Sequence, residues 1–121
     1  MVSLDHVNIE TLELEKSVAF YVDILGLEVG ARPAFNVSGA WLYANGVPII
    51  HLVARESVHI GPTGAIHHVA LKGHDLVALK AILEINGVSY DLAIVPDLNV
   101  TQVFIMDPNQ VRLEINFYSG A

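Results

Sequence analysis

The chain has 121 residues, 53% hydrophobic and 16% charged, a balance too apolar for disorder and a length that fits one domain rather than two. Six Lys and Arg against 13 Asp and Glu leave a formal charge of −7, the wrong sign for nucleic acid or an anionic membrane surface. The absence of cysteine excludes disulfides, thiolate metal sites and cysteine nucleophiles. The opening residues 1–6 carry neither a basic segment nor an apolar leader, and no apolar run approaches the ~20 residues that cross a bilayer. A cytoplasmic location with no membrane partner is expected.

In chain order, residues 4–9 (Leu-Asp-His-Val-Asn-Ile) alternate as a strand, with β-branched Val7 and Ile9. Thr11 is expected to cap a helix with Glu13 and Glu15 in its first turn and an apolar stripe of Leu14, Val18, Tyr21, Val22 and Leu25, which Gly26 ends. Trp41-Leu42-Tyr43 and Ile50-His51-Leu52 flank the turn pair Asn45-Gly46 as a predicted hairpin. Gly61-Pro62-Thr63-Gly64 is a linker short enough to keep the two halves of the chain together.

The second half repeats the pattern of the first. Residues 66–71 (Ile-His-His-Val-Ala-Leu) match the opening strand, with His68 62 positions after His6. Asp75 caps a second predicted helix with the stripe Leu76, Leu79, Ile82 and Leu83, and Gly87 ends it 61 positions after Gly26. Phe104-Ile105-Met106, the turn Asp107-Pro108-Asn109 and Leu113-Glu114-Ile115 repeat the hairpin, with Glu114 63 positions after His51. The near-constant offset predicts a single α+β domain spanning residues 1–121, made of two tandem modules, about 1–60 and 65–121, each a strand, a helix and three strands (βαβββ).

The repeat also places chemistry. First strands supply His6 and His68 at equivalent positions, and last strands supply His51 and Glu114. As unrelated structural groups, each needs its own partner, and an unpaired buried carboxylate costs several kcal/mol or shifts its pKa to stay neutral. One divalent cation satisfies all four together. Three imidazoles and a carboxylate suit Zn, Ni, Co, Fe or Mn without ranking them. His67 is expected on the strand face opposite His68, and His59 and His74 in surface or capping roles. Asn8, Arg32, Phe35, Trp41 and Gln102 are candidates for binding substrate: two amides for its oxygens, an arginine for a carboxylate and an aromatic wall.

The twofold βαβββ order, the opening Leu-Asp-His-Val-Asn-Ile, Phe20-Tyr21 leading to Leu25-Gly26-Leu27, and Asp107-Pro108-Asn109 ahead of Glu114 together resemble the vicinal oxygen chelate superfamily over essentially the whole chain. Arg32-Pro33, Phe35, residues 39–43 (Gly-Ala-Trp-Leu-Tyr) and 100–104 (Val-Thr-Gln-Val-Phe) resemble its glyoxalase-like branch. The resemblance implies a curved mixed sheet forming a cup around a metal held by His6, His51, His68 and Glu114, a homodimer, and a small substrate that chelates the metal through vicinal oxygens. It implies a metal-dependent lyase or isomerase with Glu114 as base. Two alternatives from the same superfamily are an Fe(II) extradiol-type dioxygenase, using His6, His68 and Glu114 without His51, and a non-enzymatic binding protein of the bleomycin resistance type. Two positions depart from the pattern. His51 stands where glyoxalase I has a carboxylate, and Gln110 replaces the usual turn glycine, which costs about 1 kcal/mol if that position needs positive φ.

Overall fold

The computed structural model describes residues 1–57 and 61–119. The chain divides into two compact units, Met1–Ile60 and Gly61–Ala121. In the first, strand β1 (Val7–Thr11) leads into helix α1 (Leu14–Ala19) and a π-helical turn (Phe20–Ile24), then strands β2 (Glu28–Gly30), β3 (Gly39–Ala44) and β4 (Val47–Ala54). In the second, a 3-10 turn (Pro62–Ala65) precedes β5 (Val69–Lys72), α2 (Leu76–Ile85), β6 (Asp91–Val95), β7 (Val100–Met106) and β8 (Arg112–Tyr118). Each unit is thus an α+β βαβββ module with an open four-stranded sheet, ordered β1-β4-β3-β2 in one and β5-β8-β7-β6 in the other.

The last strand of each module is central. It pairs antiparallel with its hairpin partner and parallel with the first strand. Being flanked on both sides, β4 and β8 carry the long apolar runs expected of interior strands. In module 1, Ile50, Leu52, Leu42 and Ala40 turn to the core, where α1 packs on β3 and β4 and the turn after it contributes the buried Phe20 and Tyr21. These two rings meet edge to face, 5.2 Å apart at 83°, a favoured aromatic arrangement. Module 2 has its own core of Leu79, Leu83, Val103, Ile105, Leu113 and Ile115. Among the described residues no helix is long and apolar enough to cross a membrane.

The turn chemistry is as the sequence dictates. Asn45 and Gly46 both take positive φ, 50° and 78°, as a type I′ hairpin turn requires. Gly26 and Gly87 end their helices at φ 76° and 66°, where a side chain is disfavoured. The Asp75 carboxylate accepts from the Ala78 N–H at 3.0 Å and caps α2. Thr11 behaves differently from the expected cap. It closes β1, lies fully buried, accepts the Glu13 N–H at 3.0 Å and shares a 2.9 Å hydroxyl contact with Ser17. Its oxygen serves the helix entry, but pairing of β1 with β4 claims its backbone, so α1 starts only at Leu14.

Gln110 sits at φ 66°, the left-handed region that disfavours a β-carbon by roughly 1–2 kcal/mol. The turn that forces it is organised by the buried Asp107, whose Oδ1 accepts the N–H groups of Asn109 at 2.7 Å and Val111 at 2.8 Å. Gln110→Gly is expected to raise stability by about 0.5–1 kcal/mol, the relief of strain less the entropy glycine adds to the unfolded chain. A urea midpoint that is unchanged or lower would contradict this.

Candidate functional site

Each module brings two of the four expected ligands together on the sheet face opposite its core. In module 1, His51 of β4 pairs in register with Asn8 of β1 and Trp41 of β3. In module 2, Glu114 of β8 pairs with Ala70 of β5 and Phe104 of β7. The internal repeat therefore holds at the level of register: His51 matches Glu114, and Trp41 matches Phe104. Directly paired residues project to the same side, so Asn8, Trp41 and His51 share one face. Gln102, which pairs with Asn116, shares the other module's face with Phe104 and Glu114.

The first histidine of each pair stands just ahead of its strand, since the ladders begin at Val7 and Val69. Just outside the ladder, the His6 ring lies flat on His51, with centroids 3.7 Å apart and planes within 11°. His68 turns its Nε2 to within 3.5 Å of Glu114 Oε1. The same place outside the ladder revises the expectation for His67. It does not point away from His68: the two Nδ1 atoms are 2.9 Å apart, joined by a hydrogen bond.

The partners of these side chains fit metal binding. Metal-ligating imidazoles characteristically have their second nitrogen engaged by a carboxylate or a carbonyl. Here His6 Nδ1 donates to Asp5 Oδ1 at 2.6 Å, and His51 Nε2 donates to the Pro48 carbonyl at 3.1 Å. That leaves the His6 Nε2 and His51 Nδ1 lone pairs as donors. On Glu114, Oε2 accepts from Asn116 Nδ2 at 2.9 Å, which leaves Oε1 toward His68. The Glu114 side chain is 13% exposed, against 37% for His68 and 35% for His6. Among the described residues no three His, Cys, Asp or Glu side chains are grouped to hold a metal by themselves; each module supplies a pair.

Asp5, Pro48 and Asn116 lie outside the set that the sequence pattern singles out. Asn116 is within its reach, because it stands two residues after Glu114 on the same strand and so shares its face. The carbonyl of Pro48 carries no side-chain signal. His74 is exposed ahead of Asp75, as expected, and His59 lies outside the described residues.

His51 is only 7% exposed, and its other face stacks on Trp41, with centroids 4.0 Å apart and planes within 12°. Burial lowers its pKa from the ordinary 6.5; the neighbouring His6 adds to the lowering and Arg32 contributes a little, while the Pro48 carbonyl and Asp5 oppose it. The neutral, metal-ready imidazole is favoured near neutral pH. Because the folded state binds this proton more weakly than the unfolded chain, the stabilisation is fully present above about pH 6.5 and is lost as pH falls through the lowered folded value. The urea midpoint is expected to drop between about pH 7.5 and about pH 5.5, and His51→Asn to flatten that drop. An unchanged slope in the variant would show that His51 is not the group responsible.

Beyond Trp41 the rings continue. Phe35 lies 6.3 Å from Trp41, tilted 46°, and the Arg32 guanidinium lies over Phe35 at 5.0 Å. Four of the five expected substrate-binding residues, Asn8, Arg32, Phe35 and Trp41, thus belong to module 1, and Gln102 belongs to module 2.

Two βαβββ modules, each built on an open, mixed four-stranded sheet, define the class to which comparison with known proteins also leads. Residues 3–115 match the family model of the Glyoxalase/Bleomycin resistance protein/Dioxygenase superfamily. A relative from Arabidopsis thaliana, Glyoxylase I 4, is 30% identical over 122 aligned positions, covering 95% of this chain and 70% of that one. Among solved structures, a glyoxylase/bleomycin resistance protein/dioxygenase domain from Frankia sp. superposes with a TM-score of 0.80 at 18% identity, over 100% of this chain and 96% of that one. A glyoxalase family protein from Enterococcus faecalis gives 0.71 at 22%, over 94% and 96%. The chain belongs to the Glyoxalase/Bleomycin resistance protein/Dioxygenase superfamily.

Proposed function

We propose that this protein is a metal-dependent lyase or isomerase of glyoxalase type, acting on a small molecule that offers two vicinal oxygens. The observation that supports it is the matched pairing of His6 with His51 and of His68 with Glu114, each imidazole of the first pair having its second nitrogen engaged. In this reading the four side chains serve one cation, and the protein acts as a homodimer. A divalent cation there supplies Lewis acidity, polarising a carbonyl and acidifying the adjacent C–H.

Glu114 is the base in this reading. For that role Glu114 must loosen its hold on the cation; Asn116 keeps Oε2, so Oε1 is the oxygen that would then take the proton, and a water held by the cation is the alternative base. Asn8 and Gln102, on the open faces, orient substrate oxygens. Trp41 and Phe35 form the apolar wall, and Arg32 adds the positive charge.

The imidazoles lie in nearly parallel planes with centroids 3.7 Å apart, and in-plane lone pairs in parallel planes do not converge, so both can reach one cation only if the rings tilt. Such a tilt unstacks His51 from Trp41, the single tryptophan. Titration of dialysed protein with Ni, Co or Zn is expected to change Trp41 emission and to saturate near one equivalent per complete site. Absence of saturable binding would remove this reading. Turnover assays of the loaded protein against hemithioacetals and catechols, with and without oxygen, then address the reaction.

The burial of His51 between His6 and Trp41 favours a second reading. If that ring serves packing alone, His6, His68 and Glu114 remain as the two-histidine, one-carboxylate set of Fe(II) oxygenases.

A further inference from the structure

We propose that module 1 binds the far end of its ligand as an aryl carboxylate, the flat group lying along Trp41 and Phe35 and the carboxylate meeting the Arg32 guanidinium. The proposal deepens the functional reading above and rests on it only for what lies at the histidine end of the column.

The aromatic end of module 1 is pre-organised. Phe35 is 55% exposed, yet its loop is tied down at every turn. Tyr43 Oη donates to the Ala31 carbonyl at 2.5 Å, the Phe35 N–H to the Pro33 carbonyl at 2.8 Å, and Arg32 Nη2 to the Val37 carbonyl at 2.8 Å. The guanidinium lies across Gly39, where an added β-carbon would meet its Nη2 at 2.7 Å and also collide with the Leu52 carbonyl. A loop tied by its backbone and an arginine held in one geometry lose little entropy when a ligand arrives.

Charge points to the same ligand class. In a chain with 13 acidic and 6 basic residues, a guanidinium readily finds a carboxylate, as Arg55 does with Glu10 at 2.7 Å. Arg32 pairs with none among the described residues, and its Nε is shielded from solvent without a hydrogen-bond partner. A partly desolvated cation attracts an anion more strongly than a hydrated one, and the planar fork matches a carboxylate. Arg32 offers one positive charge, which a monoanion matches and a phosphate dianion does not.

The test uses the full chain after chelator treatment, so that it is independent of metal. Trp41 emission is followed during titration with phenylacetate, its neutral counterpart phenylacetamide, and phenyl phosphate. Phenylacetate is expected to bind about tenfold tighter than the amide, as a charge-assisted hydrogen bond allows. Arg32→Gln is expected to abolish that preference, so that acid and amide bind alike. Arg32→Lys, which keeps the charge without the fork, should fall between. Should Arg32→Gln fail to fold, the wild-type preference for the acid must itself weaken with added salt. Equal affinity for acid and amide, a preference surviving Arg32→Gln or insensitive to salt, or tighter binding of phenyl phosphate would each overturn the proposal. Binding of the acid by a protein that takes up no metal would leave this site standing and remove the metal-dependent function.

Discussion

Alanine at Glu114 is expected to weaken divalent-metal binding by more than the about 10- to 100-fold typical for loss of a group merely hydrogen-bonded to a ligand. Glu114 is the only carboxylate among the four donors, so the variant loses both a ligand and the charge that offsets the cation. His68→Ala and His6→Ala should come close behind, each removing one imidazole. Asn116→Ala leaves the carboxylate in place but frees its Oε2, which Asn116 holds at 2.9 Å, and Asp5→Ala releases His6 Nδ1; these two should fall within the about 10- to 100-fold band. The measurement is metal content after dialysis, with competition titration for affinity and a urea midpoint to show that each variant folds. The graded order distinguishes ligands from the groups that hold them. If two or more of the four ligand substitutions leave metal content unchanged, the shared site is wrong.

His51 decides between the two enzymatic readings. With His51 as fourth ligand, an octahedral cation keeps only two positions, both taken by the substrate's vicinal oxygens, and dioxygen has no place. Without it three positions stay open and Fe(II) oxygen chemistry becomes feasible. We expect His51→Ala to lose metal affinity and turnover of the wild-type protein to proceed without oxygen, supported by Ni, Co or Zn. Removal of the ring also unstacks Trp41 and His6 and leaves a gap in a buried position, so stability is expected to fall by about 1–3 kcal/mol. Metal affinity must therefore be compared under conditions where both proteins are fully folded. Stoichiometric oxygen uptake with Fe(II) alone, together with unimpaired metal binding by His51→Ala, would reverse the ranking.

The sequence by itself determined the two modules and the order of elements within them. Period-2 and period-3.6 patterns are local, and so are the turn signals: Asn45-Gly46 takes the positive φ its hairpin turn predicts. The repeat offset also singled out His6, His51, His68 and Glu114. Their pairing within modules depends on the parallel registers of β1 on β4 and β5 on β8, which join residues more than 40 positions apart and leave no local trace. Strand starts were misplaced for the same reason. His6 and His68 continue the alternation of the sequence, and His6 lies on His51 as that face predicts, but the ladders begin one residue later, and the release turned His67 onto His68. The ring column from His6 to Phe35 and the desolvated guanidinium of Arg32 were decided by tertiary structure alone. Each is a property of what non-local packing brings beside a side chain, whereas periodicity reports only the face on which that side chain begins.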